Sequence, residues 1–158
     1  MTDLESRAQP GDHQALRLWL RMLSCTTRIE DALRQRLRQR FGTTLPRFDL
    51  LAQLDRFPEG LTMRALSQRL MVTGGNVTGV VDQLEAEGWA RRTAHPQDRR
   101  AILVQLTPAG RRQFRKMAAE HEAWVVELLG HLSPAQTQQM HVLLSALKPQ
   151  DPSHDSAH

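Results

Sequence analysis

The 158-residue sequence predicts a mainly α-helical fold that carries one small β-hairpin. Three observations lead to this prediction. Apolar residues recur at helical spacing over long stretches near both ends of the chain. In the middle, two shorter helical patterns are separated by Val72-Thr73-Gly74-Gly75, where paired glycines favour a turn over continued helix. Two alternating segments with a polar connection follow, which is the pattern of a hairpin.

The first long pattern spans residues 13–41 and carries two adjacent apolar stripes, so this helix needs burial on more than one side. Residues 42–46 end it. A second helix is predicted over residues 46–57, with Pro46 in its first turn, where a missing N–H costs little. Residues 58–60 form a predicted loop before the central pair of helices.

The central pair of helices predicts a helix-turn-helix. Thr62 can cap the first of them, whose inward face holds Met63, Leu66 and Leu70. The second is predicted from about residue 75 to residue 87, with Gly88 as its C-terminal stop. Its inward face holds Val77, Val80, Val81 and Leu84.

The start of the second helix is built from small residues, which would let its N-terminus come close to phosphates and base edges. Asn76 and Thr78 are the polar side chains best placed for base edges. In the alternative interpretation, Gly74 and Gly75 only make the turn and Asn76 only caps the helix.

Two short strands are predicted over residues 89–93 and 101–106, and the second alternates Ile102, Val104 and Leu106 on one face. The connection between them holds two adjacent arginines. A helix-turn-helix followed by a basic hairpin is a winged helix, whose second helix fits the major groove of DNA and whose arginine tip suits a narrow minor groove. The residues expected to form the DNA-binding site are Thr73, Gly75, Asn76, Thr78, Arg91, Arg92, Asp98, Arg99 and Arg100.

Charge supports a polyanionic partner. The net charge is +4, and between Trp89 and Lys116 eight basic residues stand against Asp98 alone. Part of this basic run, over residues 111–116, could equally be a solvated face. The sequence offers no apolar run long enough to span a bilayer, and its single cysteine fits a reducing cytoplasm.

The last two predicted helices carry more apolar surface than one small domain can cover. Thr107-Pro108 opens the first of them, and a capping box at Ser133 opens the second. The first has a seam that suits packing against another helix: Phe114, Met117, His121, Trp124, Leu128 and Leu132. We therefore expect a homodimer with dimerisation helices over residues 13–45 and 108–147, a DNA-binding lobe over 46–107, and disordered tails over 1–12 and 148–158.

The sequence resembles a known family of regulators in two places. The run Asp98-Arg99-Arg100 followed by residues 104–110, Val-Gln-Leu-Thr-Pro-Ala-Gly, resembles the wing signature of the MarR family of winged-helix repressors. Leu66-Ser67, Val77-Thr78, Leu84-Glu85 and Gly88 resemble that family's helix-turn-helix. The resemblance spans about residues 16–147.

Membership would imply a homodimer, a palindromic operator and a small effector that weakens DNA binding. By position, Arg100 resembles the family's minor-groove arginine and Asp98 the acid that orients it. The glycines at positions 74, 75 and 79 depart from the bulkier polar residues common there, which implies fewer base-specific contacts.

The resemblance also implies an effector pocket between the first, second and fifth helices and the DNA-binding lobe. This chain offers there Arg17, Trp19, Arg21, Ser24, Arg28, Phe48, Asp49, His121 and Trp124. The segments at residues 17–24, 46–51, 72–78 and 121–124 resemble the branch that controls aromatic-acid breakdown. This resemblance implies benzoate-type or hydroxycinnamate-type acids or their coenzyme A thioesters as effectors. Alternatively, the two tryptophans pack in the core or at a dimer interface, and at least one arginine is only solvated.

Other classes of function have less support. The sequence shows no nucleophile motif, phosphate loop or paired carboxylates, so neither an enzyme nor a cofactor is expected. A metal site is not expected either; the family resemblance leaves zinc binding by His121, His131 or His141 as the alternative. A redox-sensing repressor using Cys25 stays open, but the related branch supports its cysteine with tyrosines, which this chain lacks; a buried, packed Cys25 is favoured. A ligand-independent DNA-architectural protein is the remaining alternative.

Overall fold

A computed structural model describes residues 11–70 and 77–147. The expectations for Thr73, Gly74, Gly75, Asn76 and most of both tails lie outside the described residues. In chain order the elements are α1 Asp12–Phe41, α2 Leu45–Arg56, β1 Leu61–Thr62, α3 Met63–Arg69, α4 Val77–Ala86, β2 Ala90–Ala94, β3 Ile102–Leu106, α5 Pro108–Leu128 and α6 Pro134–Ser145. The predicted fold class, mainly helical with a small antiparallel hairpin, is confirmed.

Local capping chemistry sets several of these boundaries. The Thr62 side chain accepts a hydrogen bond from Ala65 N, and Ser133 forms a reciprocal capping box with Gln136, both as predicted. The α1 helix ends at Gly42, whose φ of 61° lies in the left-handed region that glycine tolerates best. Gly88 follows α4 with a φ of 77°, as expected of a C-terminal stop.

The sheet has three antiparallel strands in the order β1-β3-β2. The predicted hairpin pairs Ala90 with Leu106 and Ala94 with Ile102. The strand β1 was not predicted: Leu61 pairs with Val104 just before Thr62 caps α3. Val104 and Leu106 are buried as expected, but Ile102 is 48% exposed because it pairs at the end of the hairpin nearest the tip, beyond the core.

The core lies among the C-terminal end of α1, α2, α3, α4, the sheet and the first half of α5. Its fully buried side chains are Leu37, Leu50, Leu51, Leu54, Leu66, Val81, Leu84, Val104 and Met117. Phe114 packs on Phe48 with ring centroids 5.5 Å apart. Two residues of the predicted α5 seam, Phe114 and Met117, are therefore buried in the core of the same chain and are not available to a second copy.

Contacts divide the chain after Val125 into two compact units. In the first unit, α1 buries only Leu33 and Leu37, and its first half exposes Leu16, Leu18, Trp19, Leu20 and Leu23. In the second unit, α6 buries no residue and exposes Met140, Val142, Leu143 and Leu144. No helix in the described part of the chain has an apolar stretch long enough to cross a membrane.

Candidate nucleic-acid interface

The helix α4 packs one face on the core and leaves the other open. Val81 and Leu84 are fully buried, whereas Thr78, Asp82 and Glu85 are exposed. This pattern gives the helix an apolar anchor at i and i+3 and a polar face in solvent. Asn76 and Thr78 were predicted to contact base edges, and the structure describes only Thr78 of these two. Thr78 lies on the exposed face of α4.

A triple contact from Arg92 fastens the wing to α4. The Arg92 guanidinium contacts Asp82 Oδ1 at 2.5 Å and Glu85 Oε1 at 3.1 Å, and the backbone N–H of Arg92 donates to Glu85 Oε2 at 3.0 Å. Hydrogen bonding to Asp82 is the main cause that raises the pKa of the Arg92 guanidinium. Arg92, predicted to contact DNA, therefore directs its charge to α4 and holds β2 in place.

The wing tip is a compact turn with two exposed arginines. Asp98 accepts from Arg100 N at 3.0 Å through its side chain and from Ala101 N at 3.1 Å through its carbonyl. His95 N donates to Ala101 O at 3.1 Å and closes the hairpin. Asp98 thus contacts the backbone of Arg100, and the side chains of Arg99 and Arg100 are exposed.

The junction between the wing and α5 explains the Thr-Pro-Ala-Gly signature at positions 107–110. Thr107 Oγ1 donates to Gly88 O at 2.6 Å and accepts from Gly110 N at 3.0 Å, while Thr107 N donates to Trp89 O at 3.0 Å. A Cβ on Gly110 would lie 1.9 Å from Trp89 O, so only glycine fits this approach. These residues join the end of β3, the start of β2 and α5.

Two contacts between distant segments of the chain were not predicted from the sequence. Arg47 of α2 forms an ion pair with Glu87 and lies over the Trp89 ring, 5.6 Å from its centroid. Arg111 of α5 contacts Asp55 of α2 at 2.9 Å. Their partners are 40 and 56 positions away, so no local pattern could have found them.

The nine residues expected to bind an effector fall into separate groups. Arg17, Arg21, Ser24 and Arg28 line one cleft of about 630 Å³ together with Leu18, Leu20 and Cys25, all from α1. Phe48, Asp49, His121 and Trp124 are not part of that lining. Trp19 is also absent from the lining and is 55% exposed.

The second group centres on a stacked pair. Phe48 is buried and stacks on His121 with centroids 4.4 Å apart. Burial lowers the pKa of His121. Trp124 lies 6.2 Å from Phe41, between ring centroids, at the same end of the first unit's core.

Asp49 lies beside this pair in sequence and is half-buried. Its Oδ2 is buried without a hydrogen-bond partner among the described residues. Burial, and secondarily Glu30, raises the pKa of Asp49 from 3.8 to about 6. Because the pKa of Asp49 is higher in the folded chain than in the unfolded chain, the unfolded chain loses this proton at lower pH. The contribution of Asp49 to the free energy of unfolding therefore falls as pH rises from about 4 to about 6.

The structure also describes Cys25 and two of the histidines named as alternative zinc ligands. Cys25 is exposed, so the expected burial is wrong, because no described side chain covers this part of α1. Among the described residues no group of three or more His, Cys, Asp and Glu side chains could hold a metal ion. His131 and His141 are exposed on the second unit.

A helix-turn-helix joined to an antiparallel hairpin with an arginine tip defines a winged-helix protein. The MarR family model matches residues 41–101. The crystal structure of a MarR family transcriptional regulator from Silicibacter pomeroyi is 30% identical, with a TM-score of 0.76 over 89% of this chain and 96% of that chain. This chain therefore belongs to the MarR family of DNA-binding transcriptional regulators.

Two further similarities extend this result. The crystal structure of Sco3205, a MarR family regulator from Streptomyces coelicolor in complex with DNA, is 26% identical with a TM-score of 0.73, over 91% of this chain and 92% of that chain. The HTH-type transcriptional regulator YkoM of Bacillus subtilis is 33% identical over 82 residues. That match covers 52% of this chain and 53% of YkoM, so the chain spans about half the length of this relative.

Proposed function

We propose that this protein is a homodimeric transcriptional repressor that reads a near-palindromic operator with α4 and the wing. The observation that carries the proposal is the Arg92 contact with Asp82 and Glu85, which fixes the wing relative to α4. The exposed Arg99 and Arg100 are then held at a constant offset from the open face of α4. Sco3205, which resembles this chain along most of its length, has been crystallised with DNA.

The wing arginine provides the direct test. Arg100→Ala should weaken operator binding by ~1–3 kcal/mol, since it removes one charge from a groove contact without touching the core. Asp98→Ala should act in the same direction, because Asp98 shapes the turn that presents Arg100. The assay is a fluorescence titration of a selected operator duplex at fixed salt.

Arg38→Ala is the matched control, because Arg38 is an exposed arginine in the last turn of α1. Its operator affinity should equal that of the wild type. If Arg100→Ala and Arg38→Ala have the same affinity, the minor-groove assignment is wrong.

The homodimer is supported by apolar surface that each unit leaves uncovered. No side chain of α6 is buried, and no side chain of α1 before Leu33 is buried. Exposed apolar faces of this size on two helices need a partner, and a second copy is the simplest one. Two copies would set half-site centres ~10 bp apart.

Sedimentation velocity of the full chain tests assembly. Leu143→Glu combined with Leu144→Glu should shift the protein from dimer towards monomer, because each places a charge on an exposed apolar face of α6. Gln138→Glu is the control, since it adds a charge at a position of α6 that already carries a polar side chain. A wild-type protein that is a folded monomer at micromolar concentration would contradict the dimer.

We further propose that an aromatic carboxylic acid or its coenzyme A thioester releases the repressor from DNA. Three guanidinium groups, of Arg17, Arg21 and Arg28, line one cleft beside apolar side chains of the same helix. Guanidinium groups bind carboxylates and phosphates in bidentate fashion, and an apolar floor suits an aromatic ring. One helix cannot enclose a ligand, so a second surface, contributed by the other copy, is needed.

Calorimetry with benzoates, hydroxycinnamates and their thioesters tests the effector. Arg28→Ala should abolish binding while sparing operator affinity, and Arg38→Ala should leave both unchanged. A 100-fold decrease in operator affinity corresponds to ~2.7 kcal/mol of coupling free energy. The ligand must therefore bind the form that cannot bind DNA more tightly than the DNA-binding form by at least this amount. No binding by any compound of the panel would reject the aromatic-acid proposal.

Exposure of Cys25 favours a second candidate, a redox-sensing repressor. The thiol is exposed and lines the same cleft as the three arginines. In that case peroxide should release the operator from the wild type and not from Cys25→Ser. Release that is identical in both proteins rejects the redox candidate.

A further inference from the structure

A second basic cleft lies at the base of the wing. It has a volume of about 500 Å³ and is lined by Pro58, Arg91, Leu106, Pro108, Arg111, Arg112 and Arg115. We refer to it as the wing-base cleft. Its four arginines come from β2 and from the first two turns of α5.

Only one of these four charges is neutralised within the described part of the chain. Arg111 contacts Asp55 at 2.9 Å. No carboxylate of the described residues lies within ion-pair distance of Arg91, Arg112 or Arg115. Three unpaired guanidinium groups in one cleft repel one another, and a bound anion would relieve that repulsion.

The wing-base cleft lies on the opposite side of β2 from α4. Successive side chains of a strand point to opposite faces, and Arg92 points to Asp82 and Glu85 of α4. Arg91 therefore points the other way, where it lines the cleft with the α5 arginines. Along the strand, Arg91 also lies about 10 Å before Ala94, after which the wing tip begins.

The chemistry of the cleft selects its ligand. Guanidinium groups present paired N–H donors that match phosphate oxygens, and four of them line this cleft. The volume falls within the range of small-molecule sites. We propose that the wing-base cleft binds a phosphorylated small molecule, with a di- or polyphosphate group as the recognised feature.

Operator DNA is the other source of phosphate, and the two sources predict different results. A free ligand would bind without DNA. A flanking DNA backbone would contribute only when the duplex extends past the operator. The experiment therefore uses pyrophosphate as the probe in one arm and duplexes of two lengths in the other.

The first arm titrates the full chain with pyrophosphate at constant ionic strength, followed by calorimetry and amide NMR signals. We expect saturable binding and shifts concentrated in residues 90–92 and 108–115. Arg112→Gln combined with Arg115→Gln should weaken binding about tenfold or more, since each removes a charged hydrogen-bond donor. Arg111 is left intact because it pairs with Asp55.

The control is Arg38→Gln, which removes an exposed arginine from α1 and should bind pyrophosphate as the wild type does. The second arm compares an operator-length duplex with one extended by about one turn, ~10 bp, at each end. The proposal expects the double variant to bind the extended duplex as the wild type does. Non-saturable binding of pyrophosphate, equal binding by the double variant, or a loss confined to the extended duplex would each overturn it.

Discussion

Gly110 should be the position at which the smallest substitution does the greatest damage. A Cβ built on it would lie 1.9 Å from Trp89 O, 2.7 Å from Trp89 C and 2.9 Å from Trp89 Cα. All three are backbone atoms, so no side-chain rotation can relieve the clash. Gly110→Ala must therefore move the start of α5 and the start of β2 apart by more than 1 Å.

The cost follows from the contacts that such a movement breaks. Two hydrogen bonds cross the junction, from Thr107 N to Trp89 O and from Thr107 Oγ1 to Gly88 O, and each contributes ~1 kcal/mol. Overpacking adds ~1–3 kcal/mol, while the better helix propensity of alanine returns at most ~1 kcal/mol. The net loss is about 2–4 kcal/mol, which corresponds to a decrease in Tm of about 5–15 °C for a chain of this size.

Urea and thermal unfolding at one protein concentration measure this loss, since the stability of the proposed dimer would depend on protein concentration. Gly11→Ala is the matched control, because a Cβ there meets nothing within 4 Å and the expected change is within about 1 kcal/mol. If Gly110→Ala unfolds at the same urea concentration as Gly11→Ala, the close approach between α5 and the wing does not exist in solution. The explanation of the signature at positions 107–110 would then fail as well.

Three further outcomes are expected. In a double-mutant cycle of unfolding, Arg92→Gln and Glu85→Gln should show a coupling energy of ~0.5–1 kcal/mol. The energy is small because the side chains of Glu85 and Asp82 are 43% and 60% exposed. Purely additive effects of the two substitutions would contradict the Arg92 contact. Wild-type Tm should fall from pH 4 to pH 6 relative to that of Asp49→Asn, because folding raises the pKa of Asp49 to about 6; parallel profiles would contradict that shift. Thr62→Ala should cost ~1 kcal/mol in urea unfolding through loss of the α3 cap, and an unchanged midpoint would rule the cap out.

Local chemistry made much of the fold predictable. The cap at Thr62, the capping box at Ser133 and the stop at Gly88 each depend on residues within three or four positions, and each is present. The hairpin was predictable because alternation over five residues is a strong signal. The strand β1 was not, since two residues cannot show a period, and Thr62 already had a role as a cap.

Packing between distant segments was less predictable. Helical spacing showed that Phe114 and Met117 share a face, but not that both are buried in the core of the same chain. The effector residues were grouped by a resemblance, and the structure separates the arginines of α1 from the pair of Phe48 and His121. The count of basic residues likewise predicted that Arg91 and Arg92 both contact DNA. Because side chains alternate along a strand, Arg92 contacts α4, whereas Arg91 lines the wing-base cleft on the opposite face of β2.

The wing is fixed to its lobe at two separate places, which limits how an effector can act. Arg92 holds β2 against α4, and Thr107 with Gly110 holds the other end of the hairpin against Trp89 and α5. With both attachments made by backbone and charged contacts, bending the wing away from α4 would break several hydrogen bonds at once. We therefore infer that the effector proposed for α1 would lower DNA affinity by changing the separation between the DNA-binding lobes of two copies, because such a movement leaves every contact within a lobe intact.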